Sequence, residues 1–333
     1  MGSLGRREFI AFTGGAAVAW AMAARAQQPG RTRRIGWLLG LFEQDPEQQR
    51  RNTALVTTLR ELGWTVGGNL QIDYRYLEDR AAERFDTQAA ELVTLAPDVL
   101  LANSTPATRA LQRATQTIPI VFTLVLDPIA GGLVKSWTRP GGNVTGFTNF
   151  EPSMGGKLLA LLKDLAPDTR KVALVFNPQT APYVGMLQSI EAATLSYGIE
   201  ITTRGVADAT ELELALAAAG REGGTALVVF PDVFNTFNQR QIIALAAQHR
   251  LPAVYPYRYF TAAGGLMSYG VDIPDTFRRT AGYLGRVLNG ENPSSLPVQG
   301  PIKFELTINL KTAKRLGLTV PLTLQATADD VIE

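Results

Sequence analysis

PDVLLANSTPATRALQRATQTIPIVFTLVLDPIAGGLVKSWTRPGGNVTGF, residues 97–147, is the stretch whose reading decides the fold. Asp98 to Asn103 is a short run rich in Val and Leu, the pattern of a strand buried on both faces, and Thr105 to Thr117 reads as a helix. Between them stand Ser104, Thr105 and Pro106. A Ser or Thr hydroxyl accepts from the free N–H groups of a helix start, and a Pro in the first turn gives up an N–H that had no partner there. The strand therefore runs straight into a helix N-terminus, whose partial positive charge and unpaired donors suit a carboxylate or phosphate. A second strand, Pro119 to Leu126, stops at Asp127-Pro128.

Working outward, the same rhythm recurs. Upstream, Ile35 to Leu41 is an apolar strand, Pro46 to Leu62 a helix, Leu70 to Leu77 a strand and Ala81 to Leu95 a helix. Downstream of Arg139-Pro140-Gly141-Gly142-Asn143 the piece Val144 to Thr148 reads as an extended crossing into another lobe. The pattern then restarts with helices at Met154–Leu165, Tyr183–Tyr197, Glu211–Ala219 and Phe237–His249 and strands at Val172–Phe176, Ile199–Val206 and Ala226–Phe230, with a short strand at Ala253. Gly264 to Gly270 reads as the return crossing, followed by a helix at Thr276–Leu288 and a last strand at Lys303–Ile308.

Alternating strands and helices demand mostly parallel sheets with helices on both faces and right-handed crossovers. The expected fold class is α/β: two doubly wound parallel-sheet lobes joined by hinge crossings, one made of residues 34–147 with about 271–300, the other of 148–270 with about 301–333. Ligands of such sheets sit outside the carboxyl ends of the strands, so two lobes facing each other make a clamshell that closes on a small molecule.

Composition narrows the classes. With 333 residues, 46% of them hydrophobic, and a mean hydropathy of +0.03, the chain can bury two cores. There is no cysteine, which excludes disulfides, thiolate metal sites and a Cys nucleophile. At the N-terminus Arg6-Arg7 precedes an apolar stretch from Ala11 to Ala24, and Ala24-Arg25-Ala26 offers small residues at the cleavage-defining positions. This resembles a twin-arginine export signal cleaved after Ala26; the apolar run is short of the roughly 20 residues that span a bilayer. Removing residues 1–26 takes three arginines and one glutamate, leaving 29 basic and 29 acidic residues and no charge excess that would call for a nucleic-acid partner.

With these residues in view, the chain resembles the exported substrate-binding proteins of ABC transporters with the type I periplasmic-binding-protein fold, the group that includes tryptophan-binding proteins. The resemblance rests on the DP…GLV…RPGGNVTGF run (Asp127 to Phe147), RLPAVYP (Arg250 to Pro256), GGLMSYGVD (Gly264 to Asp272) and FELTINLKTAKRLGLTVP (Phe304 to Pro321), in that order. One departure is Gly63 to Asn69, a surface turn where such proteins usually carry Glu and Arg before the Asn. The resemblance implies capture of a small solute in the periplasm and its delivery to an ABC permease with a separate ATPase subunit. It implies no cofactor, no catalysis, and no membrane contact except through the permease or an uncleaved leader; tryptophan-binding relatives favour an amino acid or aromatic carboxylate as ligand.

Candidate contacts follow from the strand ends. Ser104 and Thr105 would seat a carboxylate; Asp127 would receive an ammonium or hydroxyl; Asn177 and Asp232 would form the opposite jaw. Phe42, Tyr183, Tyr257 and Tyr269 would supply flat walls. Two other classes stay open. A sensor that docks on a receptor has the same binding lobes. A two-lobed enzyme would need motifs that are missing: there is no Gly-x-x-x-x-Gly-Lys-Ser/Thr loop, no Gly-x-Gly-x-x-Gly after the first strand and no nucleophile elbow, and the single histidine, His249, ends a helix where its charge is favourable.

Overall fold

A computed structural model describes residues 31–40, 42–76 and 84–333. The expected leader (residues 1–26), Leu41, Leu77 and the start of the helix expected from Ala81 lie outside the described residues.

The first sheet contains β1 (Arg33–Leu38), β2 (Leu70–Arg75), β3 (Val99–Asn103), β4 (Ile120–Val125) and β5 (Val144–Thr148), in the order β2-β1-β3-β4-β5, all parallel. Helices α1 (Pro46–Glu61), α2 (Arg84–Thr94) and α3 (Thr105–Ala114) connect them. Successive strand residues point to opposite faces, so β3 sends Val99 and Leu101 into one apolar cluster and Leu100 and Ala102 into another. The first cluster receives Leu55 and Leu59 of α1; the second receives Phe85, Ala89 and Leu92 of α2 and Ala107, Ala110 and Leu111 of α3. Asp45 starts α1 by accepting from the Glu47 N–H at 2.8 Å, with Pro46 in the first turn.

The second half contains α4 (Met154–Leu165), β6 (Lys171–Phe176), α5 (Val184–Tyr197), β7 (Glu200–Gly205), α6 (Ala209–Arg221), β8 (Thr225–Val229), α7 (Val233–Phe237), α8 (Gln239–Gln248), β9 (Ala253–Tyr255), α9 (Arg258–Ala262) and β10 (Met267–Val271). After α10 (Ile273–Leu288) come β11 (Phe304–Asn309), α11 (Leu310–Arg315), α12 (Leu322–Thr327) and β12 (Asp330–Ile332). The seven-stranded order is β12-β11-β10-β9-β8-β6-β7. This sheet is mixed: β11 runs antiparallel to β10, and β12 lies parallel to β11. Helices α4 and α5 cover one face, and α6 and α8 the other.

Helix α10 departs from its sequence neighbours. Its Phe277, Ala281 and Leu284 join Ile35, Trp37 and Leu55, so it packs on α1 and the first sheet while the strands on either side of it belong to the second. Among the described residues three connections therefore run between the lobes, after β5, after β10 and before β11. They are tied together: the Gln299 N–H donates to the Gly146 carbonyl at 2.9 Å, the Thr148 N–H to the Gln299 carbonyl at 2.9 Å and the Asp272 N–H to the Lys303 carbonyl at 3.0 Å.

Both stretches expected to be crossings are strands. Val144 to Thr148 is the fully buried edge strand β5, with Gly146 so near β4 that a Cβ there would lie 2.1 Å from the Phe122 carbonyl oxygen. Met267 to Val271 is β10, between β9 and β11, and a Cβ on Gly270 would lie 1.8 Å from the Pro256 carbonyl oxygen. The chain changes lobe only after each strand. No helix among the described residues is long and apolar enough to cross a membrane, and no group of three or more metal-ligating side chains occurs among them.

Candidate functional site

The carboxyl ends of both sheets converge on one cleft of about 470 Å³ of empty space, part of it open to solvent. The first lobe contributes Gly40 beyond β1, Asn103-Ser104-Thr105 at the β3–α3 junction, and Leu124 in β4; Arg51 reaches in from α1. The second lobe contributes Thr180 and Ala181, Asp232 at the β8–α7 junction, and Tyr257.

The first-lobe wall is made of donors. Ser104 caps α3, but its hydroxyl accepts from the Ala107 N–H only at 3.5 Å. Its backbone is held at φ 108°, and Leu124 sits at φ 56° where the β4–β5 register shifts. Each is a conformation that side chains disfavour, a strain of about 1–3 kcal/mol that clusters at functional sites when surrounding structure enforces it. Asn103 and Arg51 are buried, 3% and 4% exposed, and among the described residues the Asn103 Nδ2 and the Arg51 Nε have no hydrogen-bond partner.

The second-lobe wall centres on one carboxylate. Asp232 caps α7, its Oδ1 accepting from the Asn235 N–H at 2.6 Å, while Oδ2 accepts from the Asn177 N–H at 3.0 Å and the Tyr183 hydroxyl at 2.9 Å. Burial raises its carboxyl to about 6, against the pull of those hydrogen bonds. Burial, and then the Asp232 charge, push the Tyr183 hydroxyl well above the ordinary phenol range, so Tyr183 stays protonated and donates. Burial likewise raises Tyr257 to about 12, with the Asn149 hydrogen bond and the Arg51 charge opposing. The Tyr257 hydroxyl accepts from the Asn149 amide at 2.8 Å, which leaves its own proton available to the cleft.

Of the nine residues singled out in the sequence, Ser104, Thr105, Asp232 and Tyr257 line this cleft. The other five are placed elsewhere. Asn177 and Tyr183 stand behind Asp232 and fix it, the Tyr183 ring being packed on Phe176 and Phe230. Asp127 closes a turn, its Oδ1 accepting from the Ala130 N–H at 3.0 Å. Phe42 is not part of the lining and packs against Phe237, ring centroids 5.3 Å apart. Tyr269, within β10, stacks on Phe304, away from the cleft. Arg51, Asn103 and Leu124 were not foreseen. A signal for Arg51 was present: Gln48, Arg51, Leu55 and Leu59 recur at helical spacing, which puts an arginine on the inward face of α1.

Fold and cleft together define a two-lobed α/β solute-binding protein of the type I periplasmic-binding class. The chain belongs to the ABC transporter substrate binding protein family, whose sequence model matches residues 42–332. A tyrosine-binding protein of Clostridioides difficile (strain R20291) is 25% identical over 274 residues, which are 82% of this chain and 78% of that protein. Among solved structures, a conserved domain protein from Vibrio cholerae superposes with a TM-score of 0.83 at 28% identity, over 90% of this chain and all of that one. An ABC domain from Streptococcus pneumonia in complex with L-Trp gives the same TM-score and the same coverage of both chains at 24% identity, a likeness of fold.

Proposed function

We propose that this chain is an exported solute-binding protein that closes on an α-amino acid in the cleft between its lobes and delivers it to an ABC permease. The observation that carries this reading is the polarity of the two walls: donors around the α3 N-terminus on one side, the Asp232 carboxylate on the other. A zwitterion has the matching charges at its two ends, and a small ligand of this kind is fixed by a few convergent polar groups. A relative named as a tyrosine-binding protein supports the amino-acid class. The twin-arginine-like start and cleavage after Ala26 would place the protein in the periplasm.

The test is a thermal-shift and calorimetric screen against the amino acids, aromatic acids, sugars and nucleosides. An amino acid at a hundred times its dissociation constant should stabilise the protein by about 2.7 kcal/mol, a shift of several degrees. A response to sugars or nucleosides with none to amino acids would end the reading.

A further inference from the structure

Among the described residues, Arg51 is a buried cation without a counter-ion. Its side chain leaves the inward face of α1 together with Gln48, Leu55 and Leu59, and only 4% of the residue is exposed. The carboxylate one turn earlier, Glu47, faces Arg50 at 3.3 Å. The contact recorded for the Arg51 guanidinium is with the Phe277 ring, 5.9 Å from its carbon to the centroid, which stabilises a cation but satisfies none of its five donors. Natural proteins almost never bury an arginine unpaired, because the charge gives up its hydration for nothing. Among the described residues the Arg51 Nε and the Asn103 Nδ2 have no hydrogen-bond partner, and both residues line the same cleft as the start of α3, so two independent buried donors stand at one cleft without an acceptor.

The lobes matter here as well. Arg51 belongs to the first lobe, yet its charge acts on Tyr257 and Tyr259 of the second, opposing the upward push of burial on both hydroxyls. The guanidinium's residue lines the cleft together with Asp232 and Tyr257 of the second lobe, so shutting the cleft brings that lobe against it.

We propose that Arg51, with Asn103, binds the carboxylate of the ligand, and that the unpaired guanidinium disfavours closure until that anion arrives. This rests on the amino-acid reading above and extends it: the carboxylate is the part of the ligand that triggers closing. An arginine suits the role because its planar fork matches a carboxylate with two parallel hydrogen bonds, where a lysine offers one point charge. It also makes specificity a matter of charge, since a ligand lacking the carboxylate would leave the guanidinium unpaired in the shut cleft.

The experiment compares wild type, Arg51→Met and Arg51→Lys by calorimetry with L-tyrosine, L-tryptophan and L-leucine, and with tyramine, tryptamine and isoamylamine, which lack only the carboxylate. Solution scattering of each protein without ligand reports how far it is open. Wild type should prefer the amino acid over its amine by at least about 30-fold, the scale of breaking a buried charge pair. Arg51→Met should lose most of that preference and be more compact than wild type when empty; Arg51→Lys should fall between. An Arg51→Met protein with the wild-type preference and the wild-type ligand-free dimensions would overturn the proposal. If Arg51→Met does not fold, Arg51→Lys decides, an unchanged preference counting against it. If wild type binds none of the amino acids, the amino-acid reading fails by itself, and the scattering still judges Arg51: equal compactness of the empty proteins refutes the gate, and a more compact Arg51→Met supports it.

Discussion

At the scale of single residues, the second-lobe wall depends on the ionisation of Asp232. Its carboxyl is raised to about 6 in the folded protein, from an ordinary 3.8. A carboxyl raised by folding binds protons more tightly in the native state, so its effect on stability is largest at low pH and is lost as pH rises through the folded value. The empty protein should therefore lose up to about 3 kcal/mol between pH 4 and pH 6 from this group. A ligand ammonium facing the carboxylate reverses the sign for binding: affinity should be full above pH 6 and fall about tenfold per unit below it. Asp232→Asn should flatten both profiles, which thermal unfolding and calorimetry across pH 4 to 8 will measure. It should also destabilise the protein by about 1–3 kcal/mol, because an amide has only one oxygen for donors that now use two. The sequence pointed to Asp232 as a strand-end residue. It could not separate Asp232, which faces the cleft, from Asn177 and Tyr183, which stand behind it, because that division depends on how β6, β8 and α5 pack.

At the scale of elements, the β3–α3 junction joins a readable motif to an unreadable strain. Ser104-Thr105-Pro106 announces a helix start, and α3 begins there. What no pattern announces is a serine at φ 108°, in a region that glycine occupies without penalty. Ser104→Ala would keep the strain and lose the cap, destabilising by about 0.5–2 kcal/mol. Ser104→Gly would lose the same hydroxyl and release the strain, and should be more stable than Ser104→Ala by about 1–3 kcal/mol. Equal denaturant midpoints for the two variants would show that the backbone carries no strain. The misread elements have a common cause. Glycine inside a strand weakens its signal, so the runs around Gly146 and Gly270 look like connections. They are strands in which the neighbouring carbonyl comes too near for any side chain, and that approach exists only after the sheet has assembled. The short helices α7, α9, α11 and α12 and the strand β12 are too brief to show a period.

At the scale of the whole molecule, the two-lobed class was legible because a strand–helix rhythm interrupted and restarted is a local property repeated many times. The return of α10 to the first sheet is settled by which apolar faces meet. A contact between the lobes is a feature of this same order: Phe42 follows β1, and Phe237 ends α7 in the other lobe and rests against the apolar cluster of the first. Phe42 remains 37% exposed, so the contact lies at the surface, and opening the lobes separates the two rings. An aromatic pair of this kind is worth about 0.5–1.5 kcal/mol beyond the area it buries, and it exists only when the cleft is shut. Phe237→Ala should therefore leave the stability of each lobe nearly unchanged while shifting the open–closed balance toward open. Since a ligand binds the closed form, its affinity should fall by roughly 3- to 10-fold, through faster release and with little change in the rate of capture. Stopped-flow release rates measured with the ligand identified by the screen check this. A Phe237→Ala protein that releases ligand at the wild-type rate would mean that the two rings merely touch, and that closure is held by the ligand and the groups around Arg51 and Asp232 alone.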